Sequence, residues 1–352
     1  MSFDNTSGKR PRLLLILPTF HGYEDKIVLA ARNAGYDCLR VDERIGNGIM
    51  AKTLTRLGIL QRIRPVMRRY LDRLIRTARD FDPDIVLVIN AETLNEQAIA
   101  RLREETPRAR YVIYMWDSSS KKNIPAAMYR RFDRACSFDP DDCRRIDGLI
   151  HIPLFHMHDR PSWADGGYPG EHEVDCTFIG TARMRRMKIL ADAARQLEAS
   201  GKRHFFYLYA PSIPHYILFS IYRMVTGYRG ILSRRAMPYP EYLDRIAGSA
   251  TCIDIEQSDQ NGLTMRTLEV VFSGRPLVTT NRWAKAYDFY DSFPVSVFSP
   301  DEPLALPSGE PGQRAESLFE RYSLASWLRT VLGNDTPRFI AQATVGNSAH
   351  TD

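Results

Sequence analysis

The sequence predicts an α/β protein with two Rossmann-like domains, each built on a doubly wound parallel sheet. Short apolar runs such as Leu13–Leu17 and Asp84–Ile89 alternate with stretches of helical periodicity. Such runs are typical of strands that are buried on both faces of a sheet. The alternation stops in a segment rich in Gly, Pro and Asp and starts again at Val174. This restart predicts a second domain of the same class.

The first domain is predicted over residues 1–157. Within it, residues 50–79 have the pattern of an Arg-rich helical region that Pro65 divides in two. Strands are expected at Leu13–Leu17, Asp37–Val41, Asp84–Ile89, Tyr111–Trp116 and Ala135–Phe138, and helices at Glu24–Gly35, Leu94–Glu105, Ala126–Phe132 and Pro140–Ile146.

The Gly, Pro and Asp-rich segment at 158–173 is predicted to be a linker. It leads into a second domain over 174–335, which is followed by a polar tail at 336–352. Strands are expected at Val174–Ile179, His204–Tyr209, Thr251–Ile255 and Arg275–Thr280, and helices at Arg185–Ala199, Glu241–Gly248, Ala284–Asp291 and Glu316–Leu332.

The composition indicates a globular protein of the cytoplasm. The chain has 352 residues, enough for two domains, of which 44% are hydrophobic and 26% charged. Its five cysteines show no paired CxxC spacing, which favours a reducing compartment. The polar start of the chain lacks the apolar segment of a signal peptide, and no stretch offers the ~20 apolar residues of a spanning helix.

The net charge of +6 suits anionic partners, such as nucleotide diphosphates or an anionic membrane surface. A merely solvated basic surface explains the excess equally well. Nucleic acid is not expected, because no recognisable RNA-binding signature occurs in the chain.

One stretch, 254–281, has the features of a nucleotide site. Gly262 allows the backbone to turn closely under a ligand, and Thr264 is expected to cap the helix that follows. Unpaired N–H groups at a helix start favour a phosphate, and Arg266 adds a positive charge. Glu269 lies three residues further along the same helix face, where a carboxylate can accept from two ribose hydroxyls. The pattern therefore suits a ribose diphosphate.

The same stretch resembles a known family. Glu269-Val-Val-Phe-Ser-Gly274-Arg-Pro276-Leu-Val-Thr is similar to the carboxyl-domain signature of GT-B glycosyltransferases, and GLTMRTLE…SGRPLVTTN most resembles their spore-maturation-type and lipopolysaccharide-biosynthesis branch. The resemblance implies two domains that face each other across a cleft, a final helix that crosses back to the first domain, and a ribose-binding role for Glu269. Many retaining members carry Glu-x7-Glu, whereas Asn261 stands at the first position here. This departure favours an inverting transfer.

A second phosphate site is predicted after the strand that ends at Ile179. Gly180 permits close approach, and the basic start of the next helix supplies N–H donors and charge. In the family, a Gly-Arg-x4-Lys pattern binds the donor diphosphate, and Arg183 with Lys188 reproduces its Arg-to-Lys spacing. Two residues separate Gly180 from Arg183, so Arg186 is an alternative for the arginine. The other interpretation is a basic first turn that only contacts solvent.

Two residues of the first domain are candidates for catalysis. His21 and Asp117 each follow a predicted strand at the edge where open α/β sheets bind ligands. Either can take the proton from an acceptor hydroxyl, and Asp117 can also orient His21. The alternatives are a hydrogen-bonded turn histidine and an N-cap aspartate. No metal-binding Asp-x-Asp pair occurs in this loop, so a metal-independent reaction is expected.

The segment 211–235, PSIPHYILFSIYRMVTGYRGILSRR, mixes aromatic and aliphatic residues with four arginines. One interpretation is an interfacial segment that docks on an anionic membrane leaflet, which suits a lipid-linked acceptor. The other is an ordinary core helix with exposed arginines, and the sequence alone slightly favours it.

These features predict a glycosyltransferase that moves a sugar from a nucleotide-sugar to a cell-envelope glycan or lipid-linked acceptor, with no cofactor besides its substrates. A non-catalytic nucleotide-sugar or glycan-binding protein of the same fold is the alternative. An NAD-dependent enzyme is disfavoured, because no Gly-x-Gly-x-x-Gly follows the first strand. The expected location is the cytoplasm, including the inner face of the membrane.

Overall fold

The computed structural model describes residues 9–19, 22–44, 64–122, 124–165, 172–257, 261–337 and 339. These residues form two compact units. The first lies within Met1–Leu154, Ser258–Gly262 and Tyr322–Arg338, and the second within Phe155–Gln257, Leu263–Arg321 and Phe339–Asp352.

The first unit contains a six-stranded sheet in which every described pairing is parallel. Its strands, in the order β2-β1-β3-β4-β5-β6, are β1 (Arg12–Leu17), β2 (Asp37–Asp42), β3 (Ile85–Ile89), β4 (Arg110–Met115), β5 (Arg134–Ser137) and β6 (Leu149–His151). All five residues of β3 are buried, as the apolar run predicts.

Helices cover this sheet and close its core. They are α1 (Tyr23–Asn33), α2 (Arg64–Phe81), α3 (Glu96–Glu105), α4 (Ser119–Lys122), α5 (Ala126–Tyr129) and α6 (Pro140–Arg145). Pro65 lies in the first turn of α2, where a missing N–H costs no hydrogen bond. The part of the predicted helical region at 50–63 lies outside the described residues.

The second unit repeats the architecture. Its six strands are also parallel in every described pairing. In the order β12-β11-β10-β7-β8-β9 they are β7 (Val174–Thr181), β8 (His204–Tyr209), β9 (Ile231–Ser233), β10 (Ser249–Asp254), β11 (Leu277–Thr279) and β12 (Val295–Val297). The prediction of two doubly wound parallel sheets is therefore confirmed.

The remaining helices are α7 (Met184–Ala199), α8 (Ile213–Thr226), α9 (Tyr239–Ala247), α10 (Met265–Phe272), α11 (Ala315–Arg321) and α12 (Leu324–Val331). The helix predicted at Ala284–Asp291 is instead two 3₁₀ segments, Arg282–Ala286 and Tyr290–Ser292.

The single helix predicted at Glu316–Leu332 is divided into α11 and α12. Ser323 starts a new helix by accepting a hydrogen bond from the N–H of Ser326 at 3.2 Å. The two units also separate here, since α11 belongs to the second unit and α12 to the first. Within the first unit, Trp327 of α12 packs edge-on against Tyr114, with ring centroids 4.9 Å apart.

The strand orders define where ligands are expected. In the first sheet the strands that follow β1 are added first on one side, as β2, and then on the other side, as β3. In the second sheet the same switch of sides occurs between β7 and β10. Crevices at the carboxyl ends of such strand pairs are the usual ligand sites of open α/β sheets. A ligand of the second unit is therefore expected at the loops after β7 and β10.

Candidate functional site

The loop after β7 leads directly into the uncapped start of α7. Arg183 is the N-cap residue, and its side chain makes no capping hydrogen bond. The first N–H bonded within the helix is that of Met187, which donates to the carbonyl of Arg183 at 2.9 Å. The preceding amides thus have no helical acceptor, which is the arrangement that favours an anion at a helix start.

Two exposed cations accompany these amides. Among the described residues, neither Arg183 nor Lys188 takes part in an ion pair. The neighbouring Arg185 differs, because its guanidinium contacts the Glu256 carboxylate at 2.9 Å. Arg183 and Lys188 are therefore the two exposed cations at 183–188 that form no ion pair with a carboxylate in the described parts of the chain.

Arg186 has a structural position rather than a free one. It is buried, and it donates through Nε and Nη2 to the carbonyl of Ile255 at 3.0 and 2.8 Å, and through Nη1 to that of Thr181 at 3.2 Å. These bonds tie the loop after β7 to the end of β10. Burial, together with the nearby charge of Arg266, lowers the pKa of Arg186 to about 9. Its N–H groups donate to backbone carbonyls, so as the alternative phosphate ligand Arg186 would contribute its positive charge.

Arg266 reaches the same loop from α10. Its guanidinium carbon lies 4.8 Å from the centroid of the Phe178 ring, and its Nη1 donates to Oδ1 of Asp254 at 2.9 Å. A Cβ atom on Gly180 would lie 2.6 Å from Nη2 of Arg266. Gly180 is thus required for the close approach of this guanidinium, a role additional to the one predicted for it.

Asp254 is the central residue that the sequence analysis missed. It ends β10, is fully buried, and accepts from Thr264 Oγ1, Arg266 Nη1 and Thr267 Oγ1 at 3.2, 2.9 and 2.7 Å. A charged residue at the end of a strand that contains no other charged side chain was the available signal. Its carboxylate already supplies negative charge at the start of α10.

Thr264 is the N-cap of α10, as predicted, and accepts from the N–H of Thr267 at 3.1 Å. Because its hydroxyl also donates to Asp254, this helix start is engaged within the protein. The start of α7 therefore has more open donors than the start of α10.

Glu269 lies on the buried face of α10. Tyr239 donates its hydroxyl to Oε1 of Glu269 at 3.0 Å, and burial and this carboxylate raise the pKa of Tyr239. His158, in the predicted linker, contacts the main-chain oxygen of Glu269 through Nε2 at 2.7 Å. Glu269, one helical turn after Arg266, is thus contacted at its side chain by Tyr239 and at its main chain by His158.

Asn261 and Gly262 group with the first unit, unlike the other predicted donor-binding residues. The N–H of Asn261 donates to Asp139 at 3.3 Å. A Cβ atom on Gly262 would lie 2.4 Å from the ring of Phe138, so glycine is required there by a packing contact. Asp139 itself is the N-cap of α6 and accepts from the N–H of Asp141 at 3.0 Å.

In the first unit, Asp117 follows β4 and belongs to a polar network. It accepts from Nδ2 of Asn90 at 3.0 Å and lies 3.2 Å from Nζ of Lys122. Asn90 also donates to Glu92 at 3.0 Å, and Lys122 pairs with the same carboxylate. Burial lowers the pKa of Lys122, but Asp117 and Glu92 outweigh it and raise that pKa. His21 lies outside the described residues.

The carboxyl edge of this sheet holds further charged residues that the sequence analysis did not select. Glu92 follows β3, the neighbour of β1 and β4, and contacts Arg44 at 3.7 Å. Glu43 follows β2, is buried, and accepts from the N–H of Thr93. The signal for both was their position directly after a predicted strand. No group of three or more His, Cys, Asp or Glu side chains placed to hold a metal ion occurs in the described parts of the chain.

No protein-family model matches the chain, and no curated protein matches it in sequence. Solved structures do match. A UDP-forming α,α-trehalose-phosphate synthase from Burkholderia vietnamiensis aligns with a TM-score of 0.60 and 13% identity, over 93% of this chain and 97% of that one. AviGT4, a glycosyltransferase involved in avilamycin A biosynthesis, aligns with a TM-score of 0.54 and 14% identity, over 92% and 98%.

A third match is the apo form of the lipopolysaccharide outer core galactosyltransferase WaaB. It has a TM-score of 0.50 and 10% identity, and covers 92% of this chain and 99% of that one. The fold is that of the GT-B glycosyltransferases. Identities this low bear on the GT-B fold alone, so the spore-maturation-type branch remains a prediction from the sequence.

Proposed function

We propose that this protein is a glycosyltransferase whose nucleotide-sugar donor binds with its diphosphate at the start of α7. The observation that carries the proposal is the combination of open helix amides with Arg183 and Lys188 at the carboxyl end of β7. Helix amides and exposed cations together match the geometry and the charge of phosphate oxygens.

Buried charge in the same loop supports an anionic ligand. Arg266 is close enough to disfavour the charge of Arg186, and the carboxylate that pairs with Arg266 is Asp254. An added diphosphate relieves this repulsion, because opposite charge stabilises both guanidinium groups.

The neighbouring carboxylate completes the proposed donor site. Glu269 is held on α10 one turn beyond Arg266, and we assign its carboxylate to the two ribose hydroxyls. Thr264 and Arg266 contribute through the position and charge of the α10 start, while Asn261 and Gly262 stay predictions for the donor from sequence. Because the trehalose-phosphate synthase of this fold is described as UDP-forming, UDP is the first nucleotide to test.

For the chemical step we propose an inverting, metal-independent transfer. The acceptor oxygen forms a bond to the anomeric carbon, the bond from that carbon to the phosphate oxygen breaks, and the nucleoside diphosphate leaves with the electron pair. An enzyme base takes the proton of the acceptor hydroxyl. Asp117 is the candidate base, with His21 as the second, and the contacts from Asn90 and Lys122 hold its carboxylate in place.

The proposed acceptor is a cell-envelope glycan or a lipid-linked saccharide, and the proposed location is the cytoplasm. Support comes from the sequence resemblance to the lipopolysaccharide branch and from the description of WaaB as a lipopolysaccharide galactosyltransferase. No cofactor besides the two substrates is proposed.

The test is nucleotide binding, measured by thermal shift and calorimetry with UDP, GDP, TDP and CMP. One nucleotide should stabilise the protein at low concentration, since a ligand that binds only the folded state raises its stability by mass action. Arg183→Ala combined with Lys188→Ala should weaken that binding at least about tenfold, which corresponds to about 1.4 kcal/mol. Lys202→Ala removes an exposed cation elsewhere in the second unit and is the matched control.

Turnover separates an enzyme from a binding protein of the same fold. Asp117→Asn should keep nucleotide affinity and lose sugar transfer. If Glu269→Ala abolishes nucleotide binding while Asp117→Ala and His21→Ala leave the cellular glycan unchanged, the protein is a binding module. Unchanged affinity after removal of Arg183 and Lys188 would refute the proposed diphosphate position.

A further inference from the structure

The helix α8 exposes an apolar face. Its outward side chains are large and hydrophobic, from Leu218 at 47% to Met224 at 85% of their accessible surface. Six such side chains lie on this helix, and at 3.6 residues per turn they fall within an arc of about 140°. They are Ile213, Ile217, Leu218, Ile221, Met224 and Val225.

The opposite face of α8 is anchored to the second unit. Phe219 is buried in its core, and Tyr216 and Tyr222 pack against the same cluster. At the C-terminal end, Gly227 adopts a left-handed conformation, and Arg223 donates through Nε to the carbonyl of Tyr228 at 3.0 Å. The helix is therefore fixed in an orientation that directs its other side outward. The core-helix interpretation therefore describes only one face, and the interfacial interpretation stays a prediction for the other.

The charged residues of the segment that carries this face have a single sign. The segment 211–235 contains four arginines and no aspartate or glutamate. Arg229 forms an ion pair of 3.3 Å with Glu198, which lies outside the segment. Arg234 and Arg235 are exposed, and in the described parts of the chain neither side chain forms an ion pair. An exposed apolar helix face and exposed arginines within one short segment are complementary to a surface with acyl chains below anionic groups.

From this complementarity we propose that α8 docks the protein on an anionic lipid bilayer, lying along the surface with its apolar arc in the headgroup region. The helix has 14 residues and is therefore about 21 Å long, shorter than the ~30 Å hydrocarbon core. None of the helices that the structure describes is long and apolar enough to cross a bilayer. The proposal uses none of the proposed donor-binding or catalytic residues.

A bilayer fits this face better than a second copy of the chain. Six side chains on one helix make a small patch, whereas a stable interface takes about 20–30 residues from each partner. Two copies meeting through this face would also bring their arginines together without a carboxylate from either segment. Anionic lipid headgroups supply the missing negative charge.

The experiment is co-sedimentation of the full chain with vesicles of phosphatidylcholine alone or mixed with phosphatidylglycerol, at low and high salt. We expect binding to the mixed vesicles that weakens with salt, and at least about tenfold weaker binding to phosphatidylcholine alone, since each arginine near an anionic surface contributes about a fivefold factor. Ile221→Ser combined with Met224→Ser should lower the partition coefficient at least about tenfold, because both side chains lose their favourable transfer into the interface.

Two further variants control for folding and for charge. Leu29→Ser changes a residue with 56% exposure on α1 of the first unit, and it should leave vesicle binding unchanged. Arg234→Ala combined with Arg235→Ala keeps the apolar arc intact and should reduce both the binding and its salt dependence.

Three results would overturn the proposal. The first is no binding of the wild-type protein to anionic vesicles. The second is full binding by both double variants, measured on samples that melt at the wild-type temperature. The third is a wild-type dimer in sedimentation equilibrium that Ile221→Ser with Met224→Ser converts to a monomer, which would assign the face to a second copy. None of these measurements depends on nucleotide binding, so the outcome is separable from that of the proposed function.

Discussion

Arg266 and Asp254 form an ion pair of 2.9 Å in which the carboxylate is fully buried and the guanidinium lies over the ring of Phe178. The pair joins the end of β10 to the first turn of α10. Thr267 donates a further hydrogen bond to Asp254 at 2.7 Å. A buried charge with several donors fixes the start of α10 against the end of β10.

Removal of the Asp254 carboxylate should therefore be costly. We expect Asp254→Ala to lower the free energy of unfolding by roughly 3–5 kcal/mol, because it leaves a mostly buried guanidinium without its partner. Urea unfolding measures this. Glu173→Ala is the control, since it breaks an exposed pair with Arg245 of 3.3 Å and should cost less than about 1 kcal/mol. Equal losses of unfolding free energy in the two variants would show that the buried pair stabilises the fold no more than the exposed one.

Gly180→Ala tests the packing of Arg266 against the loop after β7. The added Cβ would lie 2.6 Å from Nη2 of Arg266, so the guanidinium must move away from its present position. We expect about 1–3 kcal/mol of destabilisation and at least about tenfold weaker nucleotide binding.

Gly312→Ala is the matched control for this substitution, because its Cβ would meet no atom closer than 3.6 Å. Calorimetry with the nucleotide identified by thermal shift measures the affinity. Wild-type affinity in Gly180→Ala would show that the position of Arg266 is irrelevant to the donor.

The sequence predicted the sheets well because each buried strand shows its environment in its own composition. The strand Ile85–Ile89, for example, is recognisable from its own apolar run without information on the rest of the chain. Asp254 differs, since its partners Thr264, Arg266 and Thr279 come from two other elements and meet only in the folded unit. The orientation of α8 was equally undetermined, because apolar residues on both of its faces satisfy a buried and an exposed helix alike.

The division between α11 and α12 was also hidden in the sequence. The apolar periodicity continues through Tyr322 and Ser323, and only the tertiary contacts separate the two helices. In the first unit, Arg134 donates to the carbonyls of Val331 and Thr330 at 3.0 Å each, which satisfies free carbonyls at the end of α12.

This docking makes α12 part of the stability of the first unit. Trp327 is nearly fully buried there, so Trp327→Ala should lower the free energy of unfolding by about 3–5 kcal/mol. Trp283→Ala changes a partly exposed tryptophan in the second unit and is the control for the loss of an indole. Chemical unfolding followed by far-UV circular dichroism measures both. A smaller effect at Trp327 than at Trp283 would contradict the assignment of α12 to the core of the first unit.

Asn90 positions two carboxylates at once. It has a left-handed backbone, with φ of 69°, and its Nδ2 donates to Glu92 and Asp117 at 3.0 Å each. Asn90→Gly keeps that backbone and removes the amide. If Asp117 is the base, we expect transfer to be slower by about tenfold to a hundredfold with unchanged nucleotide affinity, since hydrogen bonds to charged groups contribute about 1.5–3 kcal/mol.

A comparison of the transfer rate with nucleotide affinity and melting temperature distinguishes positioning from a general loss of structure. Loss of the amide should slow the transfer while the other two quantities stay at their wild-type values. Asn95→Gly, which changes the N-cap of α3, is the control for helix stability alone and should leave the transfer rate unchanged. A wild-type transfer rate in Asn90→Gly would remove Asn90 from the reaction.

Glu43 makes the first unit sensitive to pH in a defined direction. Burial raises the pKa of Glu43 from 4.5 to about 8, with a smaller contribution from Glu92. Between these values the folded protein holds a proton that the unfolded chain releases, so stability falls as the pH rises from about 4.5 to about 8. Glu43→Gln mimics the protonated group and should flatten this slope, with a gain of up to about 3 kcal/mol at pH 7. Urea unfolding across this range measures the effect, and the exposed Glu104→Gln should change the stability by less than about 0.5 kcal/mol. A slope in Glu43→Gln equal to that of the wild type would show that another group titrates.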